Sequence, residues 1–254
     1  MTDKMHPFFW YELMTTDVAA AEAFYGSVVG WRSEPFVGGE GYVVLNAPDT
    51  SVAGIMAISG DAAGMPPMWL GYIYTDDVDA ATAGVQQAGG SVHRPPTDIP
   101  GVGRFSVVAD PQGAVFMLMA PSTDAPAERP DPMAVGHVGW RELYASDWKQ
   151  AFDFYSGQFS WSKAEAMDMG PMGTYQLFES GPDQRGGMMT RPAEVPAPFW
   201  QFYFTVDALD AAVERVKAGG GKLLNEPMEV PGGSWVASCM DPQGAMFSLT
   251  AAKR

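Results

Sequence analysis

The chain has 254 residues, 30 acidic against 15 basic, for a formal net charge of -15, with 46% hydrophobic and 18% charged residues. That length suits one large domain or two of ordinary size, and the composition is that of a globular chain, not a disordered one. The acidic balance argues against nucleic acid and anionic membrane surfaces as partners, since both attract Lys and Arg, and it would draw cationic small molecules. Cys239 is the only cysteine, which excludes an intramolecular disulfide and a Cys-based zinc site. The N-terminal MTDKMHPFFWYEL lacks a long apolar run with a small-residue cleavage site, and no stretch approaches 18 uninterrupted apolar residues. No signal peptide or transmembrane helix is expected, and the expected location is the cytoplasm.

In chain order, Trp10–Thr15 is bulky and alternating, as a strand should be. Asp17 then caps a helix through AAAEAFYGSVV. Gly41–Ala47 and Val52–Ile58 read as strands. Trp69 opens another apolar stretch, and Asp76 or Asp77 starts a helix that stops at Gly89-Gly90, where glycine admits the left-handed conformation. Strands over Arg104–Ala109 and Val115–Met119 are joined by Asp110-Pro111-Gln112-Gly113, a tight turn with Pro presetting its second position. PSTDAPAERPDP follows, rich in Pro and charge, and reads as a linker over residues 121–132.

The pattern then starts again. WYELMTTDVAAAEAFYGSVVGW at 10–31 returns as WRELYASDWKQAFDFYSGQFSW at 140–161, and Asp110–Ala114 returns as Asp241–Ala245. Asp147 caps the third helix, with Gln150 placed for a capping box. Trp200 and Asp207 repeat the Trp69 and Asp76 spacing of seven. The chain is predicted to be two similar domains, 1–120 and 133–254, each of two βαβββ units, four in all. The fold class is α+β, with curved, mostly antiparallel sheets.

Strand, Asp, helix, Phe-Tyr and Gly-Trp in sequence, followed by Asp-Pro-x-Gly before a last strand, occur twice and in order. In this the chain resembles the vicinal oxygen chelate superfamily of glyoxalases, bleomycin-resistance proteins and extradiol dioxygenases. Its WxEL openings are most similar to two-domain glyoxalase-like members known as hydroxylases or mycobacterial culture-filtrate antigens. The resemblance implies that paired βαβββ units curl around an open cavity, hence two cavities. It also implies a metal site, with a His seven residues before each helix-capping Asp and a Glu seven after the Asp of Asp-Pro-x-Gly. Those positions hold Trp10, Trp69, Trp140, Trp200, Met117 and Ser248. An indole N–H only donates, and thioether suits soft copper. No metal and no cofactor is therefore expected.

Residues two apart on a strand share a face. A cavity lined by Trp10 is then lined by Glu12 and Met14, and one lined by Trp140 by Glu142 and Tyr144. Trp69, Met56 and Met117 join the first cavity; Trp200, Phe202, Met188 or Met189, and Ser248 join the second. Seventeen methionines exceed a simple core's need and lend a wall adaptability. The tryptophans are read either as plugs of a lost site or as an aromatic wall for a flat or cationic ligand. Glu12 and Glu142 are either bonded to backbone amides or Arg, or they face the ligand, since a carboxylate among indole and thioether is costly unless paired. His6 and His137 precede the two WxEL strands and are solvated or capping, with an unorthodox metal site as the alternative; His93 falls in a loop. Cys239 reads as a buried structural thiol.

These features point to metal-independent binding of a small apolar or cationic aromatic molecule, by a monomer or homodimer. The alternative is a glyoxalase-like lyase, isomerase or hydroxylase acting on a small carbonyl or hydroxylated substrate, with Glu12, Glu142 and Tyr144 as catalytic groups.

Overall fold

Alternating bulky stretches become strands, and each Ala-rich run becomes a helix. The computed structural model describes residues 5–39, 41–122, 131, 133–181 and 184–254. The first quarter is β1 (Phe8–Thr15), α1 (Val18–Val28), β2 (Arg32–Pro35), β3 (Val43–Asn46) and β4 (Ser51–Ala57). The second is β5 (Met68–Tyr74), α2 (Val78–Gln87), β6 (Ser91–Ile99), β7 (Gly103–Ala109) and β8 (Val115–Pro121). The third is β9 (Val138–Ala145), α3 (Trp148–Phe159), β10 (Ser162–Asp168), β11 (Thr174–Gly181) and β12 (Gln184–Thr190). The fourth is β13 (Phe199–Thr205), α4 (Leu209–Ala218), β14 (Lys222–Leu223), β15 (Met228–Glu229), β16 (Trp235–Met240) and β17 (Met246–Ala251). The predicted linker lies, from 123 to 130 and at 132, outside the described residues.

The fold is α+β, with four βαβββ quarters, the fourth carrying the extra short strand β15 beside β16, and strands in two sheets. The chain divides into two compact units. One holds Met1–Trp10, Leu70–Arg129 and Arg141–Trp200; the other holds Tyr11–Trp69, Pro130–Trp140 and Gln201–Arg254. In the first, β5-β8-β7-β6 and β10-β11-β12-β9 are runs of neighbouring strands, and α2 packs on α3. In the second the runs are β2-β3-β4-β1 and β13-β17-β16-β14, and α1 packs on α4. Within each run one ladder is parallel, β1 on β4, β5 on β8, β12 on β9 and β13 on β17.

Helix starts follow the expected chemistry at three of four places. Asp17, Asp77 and Asp147 are N-caps whose carboxylates accept from Ala20 N, from Ala80 N, and from Lys149 and Gln150 N. The Gln150 amide donates to the Asp147 carboxylate rather than accepting from the Asp147 backbone N–H, which donates to Gln112 Oε1 instead. The fourth cap is Ala208, with no side-chain bond, one residue past the expected Asp207.

Candidate functional site

The cap positions set which way each first strand faces. Counting back seven residues from Asp17 and Asp147 reaches Trp10 and Trp140. From Asp77 and Ala208 it reaches Leu70 and Gln201, not Trp69 and Trp200. A one-residue shift on a strand moves a side chain to the other face. Trp69 and Trp200 accordingly lie on the helix side, each 4% exposed. Phe202 goes with Trp200, its ring 5.0 Å from that of Tyr11 and on the same strand face as Phe204.

Those tryptophans end two buried chains of hydrogen bonds, one in each unit. In the α1/α4 unit, Trp69 Nε1 donates to Tyr25 Oη at 2.8 Å, and Tyr25 donates to Asp241 Oδ2 at 3.1 Å. Asp241 Oδ1 accepts from the backbone of Gln243, Gly244 and Ala245. In the α2/α3 unit, Trp200 donates to Tyr155 at 3.0 Å and Tyr155 to Asp110 Oδ2 at 3.1 Å, while Gln112 and Ala114 N donate to Asp110 Oδ1. The Phe-Tyr of one quarter is thus tied to the Asp-Pro-Gln-Gly turn of another, first to fourth and third to second. Burial raises both Asp carboxyls, against the pull of the backbone amides, and holds both tyrosines well above their ordinary value, so the phenols stay protonated. Trp31 and Trp161 complete the clusters, donating to Gly136 O and His6 O.

The opposite strand faces carry the candidate site. Glu12 lies beside Gly54 across the β1/β4 ladder, and Met14 beside Met56. A Cβ on Gly54 would overlap the Tyr42 hydroxyl, so the Tyr42 ring lies over Gly54 on the face that carries Glu12. The third quarter repeats this. Glu142 lies beside Gly187, Tyr144 beside Met189, and the Tyr175 ring occupies the space a Gly187 Cβ would need. Glu12 and Glu142 are 3% and 4% exposed. Trp10, Trp140 and Tyr144 are half-buried, and Tyr144 stacks on Phe199 with centroids 5.0 Å apart. Met188 is opposite Leu143, so Met189, not Met188, shares the Tyr144 face. Tyr42 and Tyr175 were not among the expected residues. Their recurrence 133 positions apart, together with Gly54 and Gly187 at the same spacing, is the signal that marks them.

The second and fourth quarters differ from each other on this side of the strands. Leu70 and Tyr72 lead to Met117, which pairs with Tyr72 on one flank and Val107 on the other. In the fourth quarter Gln201 and Tyr203 lead to Ser248, which pairs with Tyr203 and Ser238. Gln201 Nε2 donates to Ser248 Oγ at 2.9 Å, and the Ser238 and Ser248 hydroxyls are 3.2 Å apart.

The histidines sit elsewhere. His6 Nδ1 bonds the Tyr74 carbonyl at 2.8 Å, His137 Nε2 pairs with Asp49 at 2.8 Å, and His93 is exposed on β6 rather than in the expected loop. Among the described residues no three His, Cys, Asp or Glu side chains gather as metal ligands. The positions at which the resemblance implies metal ligands, with Leu70 and Gln201 in place of Trp69 and Trp200 once counted from the observed caps, hold indole, alkyl, thioether, amide and hydroxyl groups, a donor set that does not fit a divalent ion. Cys239 is buried and its thiol is pushed up to about 12 by burial, so it is no nucleophile at neutral pH. Among the described residues no helix is long and apolar enough to cross a membrane.

A family model described as the glyoxalase/bleomycin resistance protein/dioxygenase superfamily matches residues 8–118 and again 134–249. A Mycobacterium tuberculosis protein named "Putative glyoxylase CFP32" is 34% identical over 244 residues, covering 94% of this chain and 92% of that protein. The anthracycline biosynthesis protein DnrV of Streptomyces peucetius is 34% identical over 260 residues, covering 94% and 91%. Among solved structures, the Mn(II)-bound glyoxalase of Novosphingobium aromaticivorans superposes with a TM-score of 0.67 at 16% identity, covering 99% of this chain and 83% of that one. At that identity the likeness shows the fold. With both halves matched, the chain belongs to the glyoxalase/bleomycin resistance protein/dioxygenase superfamily.

Proposed function

We propose that the protein binds a small, flat, apolar or cationic aromatic molecule without a metal ion, at the strand faces that carry Glu12 and Glu142. The observation that carries this reading is the duplicated arrangement of a buried carboxylate, a glycine beside it and a tyrosine over the glycine. Met14, Met56 and Met189 border the same faces and give an aromatic ring polarizable, adaptable contacts. Trp10 and Trp140 stand two residues before the carboxylates and serve as aromatic walls, and Met117 and Ser248 extend the binding faces in their own units. A buried carboxylate attracts an organic cation strongly because little water competes. That one relative is named for anthracycline biosynthesis supports an aromatic ligand.

Titration of the chelator-treated protein with proflavine, a planar aromatic cation, tests the reading. Saturable quenching of Trp fluorescence in excess EDTA is expected. Glu12→Gln and Glu142→Gln are each expected to weaken one class of sites about tenfold, or about 1.4 kcal/mol. Binding that requires an added divalent ion, or that ignores both substitutions, sinks the proposal.

A second reading has its own support. A relative named as a glyoxylase favours an enzyme on a small carbonyl substrate, with Glu142 as base and Tyr144 as proton donor. Turnover by the wild type, lost in Glu142→Gln, would place that reading first. The acidic balance goes with either, and with it the inference of a cytoplasmic monomer or homodimer that takes no nucleic acid.

A further inference from the structure

The fourth quarter holds a polar group with no counterpart in the second. Gln201 is 4% exposed, Ser248 fully buried, and Ser238 half-buried. Their equivalents in the second quarter, by the cap and ladder positions, are Leu70, Met117 and Val107. Three apolar groups are thus replaced by an amide and two hydroxyls on one strand face. The hydroxyls partner each other, and the Gln201 amide N–H donates into them. Gln201 Oε1 is buried and has no hydrogen-bond partner among the described residues. A buried carbonyl oxygen without a donor is costly to keep. The other face of β13, with Trp200, Phe202 and Phe204, is taken up by the aromatic core, so the amide lies on the face turned away from it.

We propose that Gln201, braced by Ser248 and Ser238, is a subsite for the hydroxyl of a hydroxylated aromatic ligand, and that the second quarter has no such subsite. The proposal rests on the aromatic-binding reading above and names the chemistry that reading leaves open. The vacant partner is an acceptor, so the ligand supplies the donor. The amide is neutral, which favours a phenolic O–H over an ammonium group, for which the carboxylates are better matched.

Calorimetric titration of the whole chain with 2-naphthol and with 2-methoxynaphthalene tests it, because methylation removes the donor and keeps the ring. The wild type is expected to bind 2-naphthol about tenfold more tightly. Gln201→Leu and the nearly isosteric Gln201→Met are expected to bind the two probes equally, with affinity for 2-methoxynaphthalene within about twofold of wild type. Both variants remove the unpartnered amide oxygen together with the hydrogen bond from Gln201 Nε2 to Ser248 Oγ, which keeps its bond to the Ser238 hydroxyl, so thermal melting is expected to show little net loss of stability. Equal binding of the two probes by the wild type, or a preference that survives both substitutions, overturns the hydroxyl subsite alone. Failure of the wild type to bind either probe overturns this inference, and failure to bind proflavine as well brings down the aromatic-binding reading.

Discussion

The two sides of the strands follow different rules. On the helix side, each unit contains the same bonds: Trp69 to Tyr25 to Asp241 in one, Trp200 to Tyr155 to Asp110 in the other. On the opposite side, the first and third quarters still agree, with Tyr42, Gly54 and Glu12 matching Tyr175, Gly187 and Glu142. The second and fourth quarters do not, with Leu70, Val107 and Met117 against Gln201, Ser238 and Ser248. The physical difference is coupling. Changing the middle member of a buried hydrogen-bond chain strands two partners, whereas Leu70, Val107 and Met117 have no side-chain N–H or O–H to leave unpaired when a neighbour changes. A duplicated chain keeps its repeat where the fold is built and departs from it where chemistry is chosen.

The strongest way to break the comparison is to cut a chain at its middle. Tyr25→Phe removes the donor to Asp241 and the acceptor for Trp69 at once, at a site with no exposed surface. A loss of roughly 2–4 kcal/mol is expected from the two stranded groups, and Tyr155→Phe should cost a similar amount. Urea unfolding of the two variants checks it. If they differ by more than half, the two clusters are not equivalent. A smaller effect is expected from Gly54→Ala and Gly187→Ala, about 1–3 kcal/mol of overpacking as each added methyl forces a tyrosine aside. Proflavine affinity should fall with it, because the ring that moves lies on the carboxylate's face. A variant that keeps full affinity would remove the tyrosines from the site.

Much of this was legible in the sequence, because the four-quarter repeat, the caps at Asp17 and Asp147 and the tight turns at Asp110 and Asp241 depend on local geometry. What failed was registration. Asp76 and Asp77 are both plausible caps, and Asp207 outranks Ala208 on any capping scale. Choosing one residue early put Trp69, Trp200 and Phe202 on the wrong side of their strands, and the same alternation separates Met188 from Met189. The tyrosines over Gly54 and Gly187 were missed for another reason. Their contacts join separate strands, and nothing next to Tyr42 or Tyr175 in sequence announces a glycine 12 residues on.

The smallest expected effect probes the electrostatics of the helix side. Burial, the leading cause, raises the Asp241 carboxyl above its ordinary value despite three backbone donors. A carboxyl raised in the folded state binds its proton more tightly there than in the unfolded chain. Its contribution to stability is complete below the unfolded value of about 3.9 and is lost as the pH rises through the folded value. Asp241→Asn keeps an oxygen for the backbone amides and removes the titration, while its effect on Tyr25 adds an offset that does not vary with pH. The stability of the wild type relative to this variant is therefore expected to fall as the pH rises from below the ordinary carboxylate range toward neutrality. Urea midpoints of both proteins across that range give the difference directly. A difference that grows with pH would mean that the amides at the turn outweigh burial, so that the ionised carboxylate, not the acid, is the form that the Tyr25 cluster was built to hold.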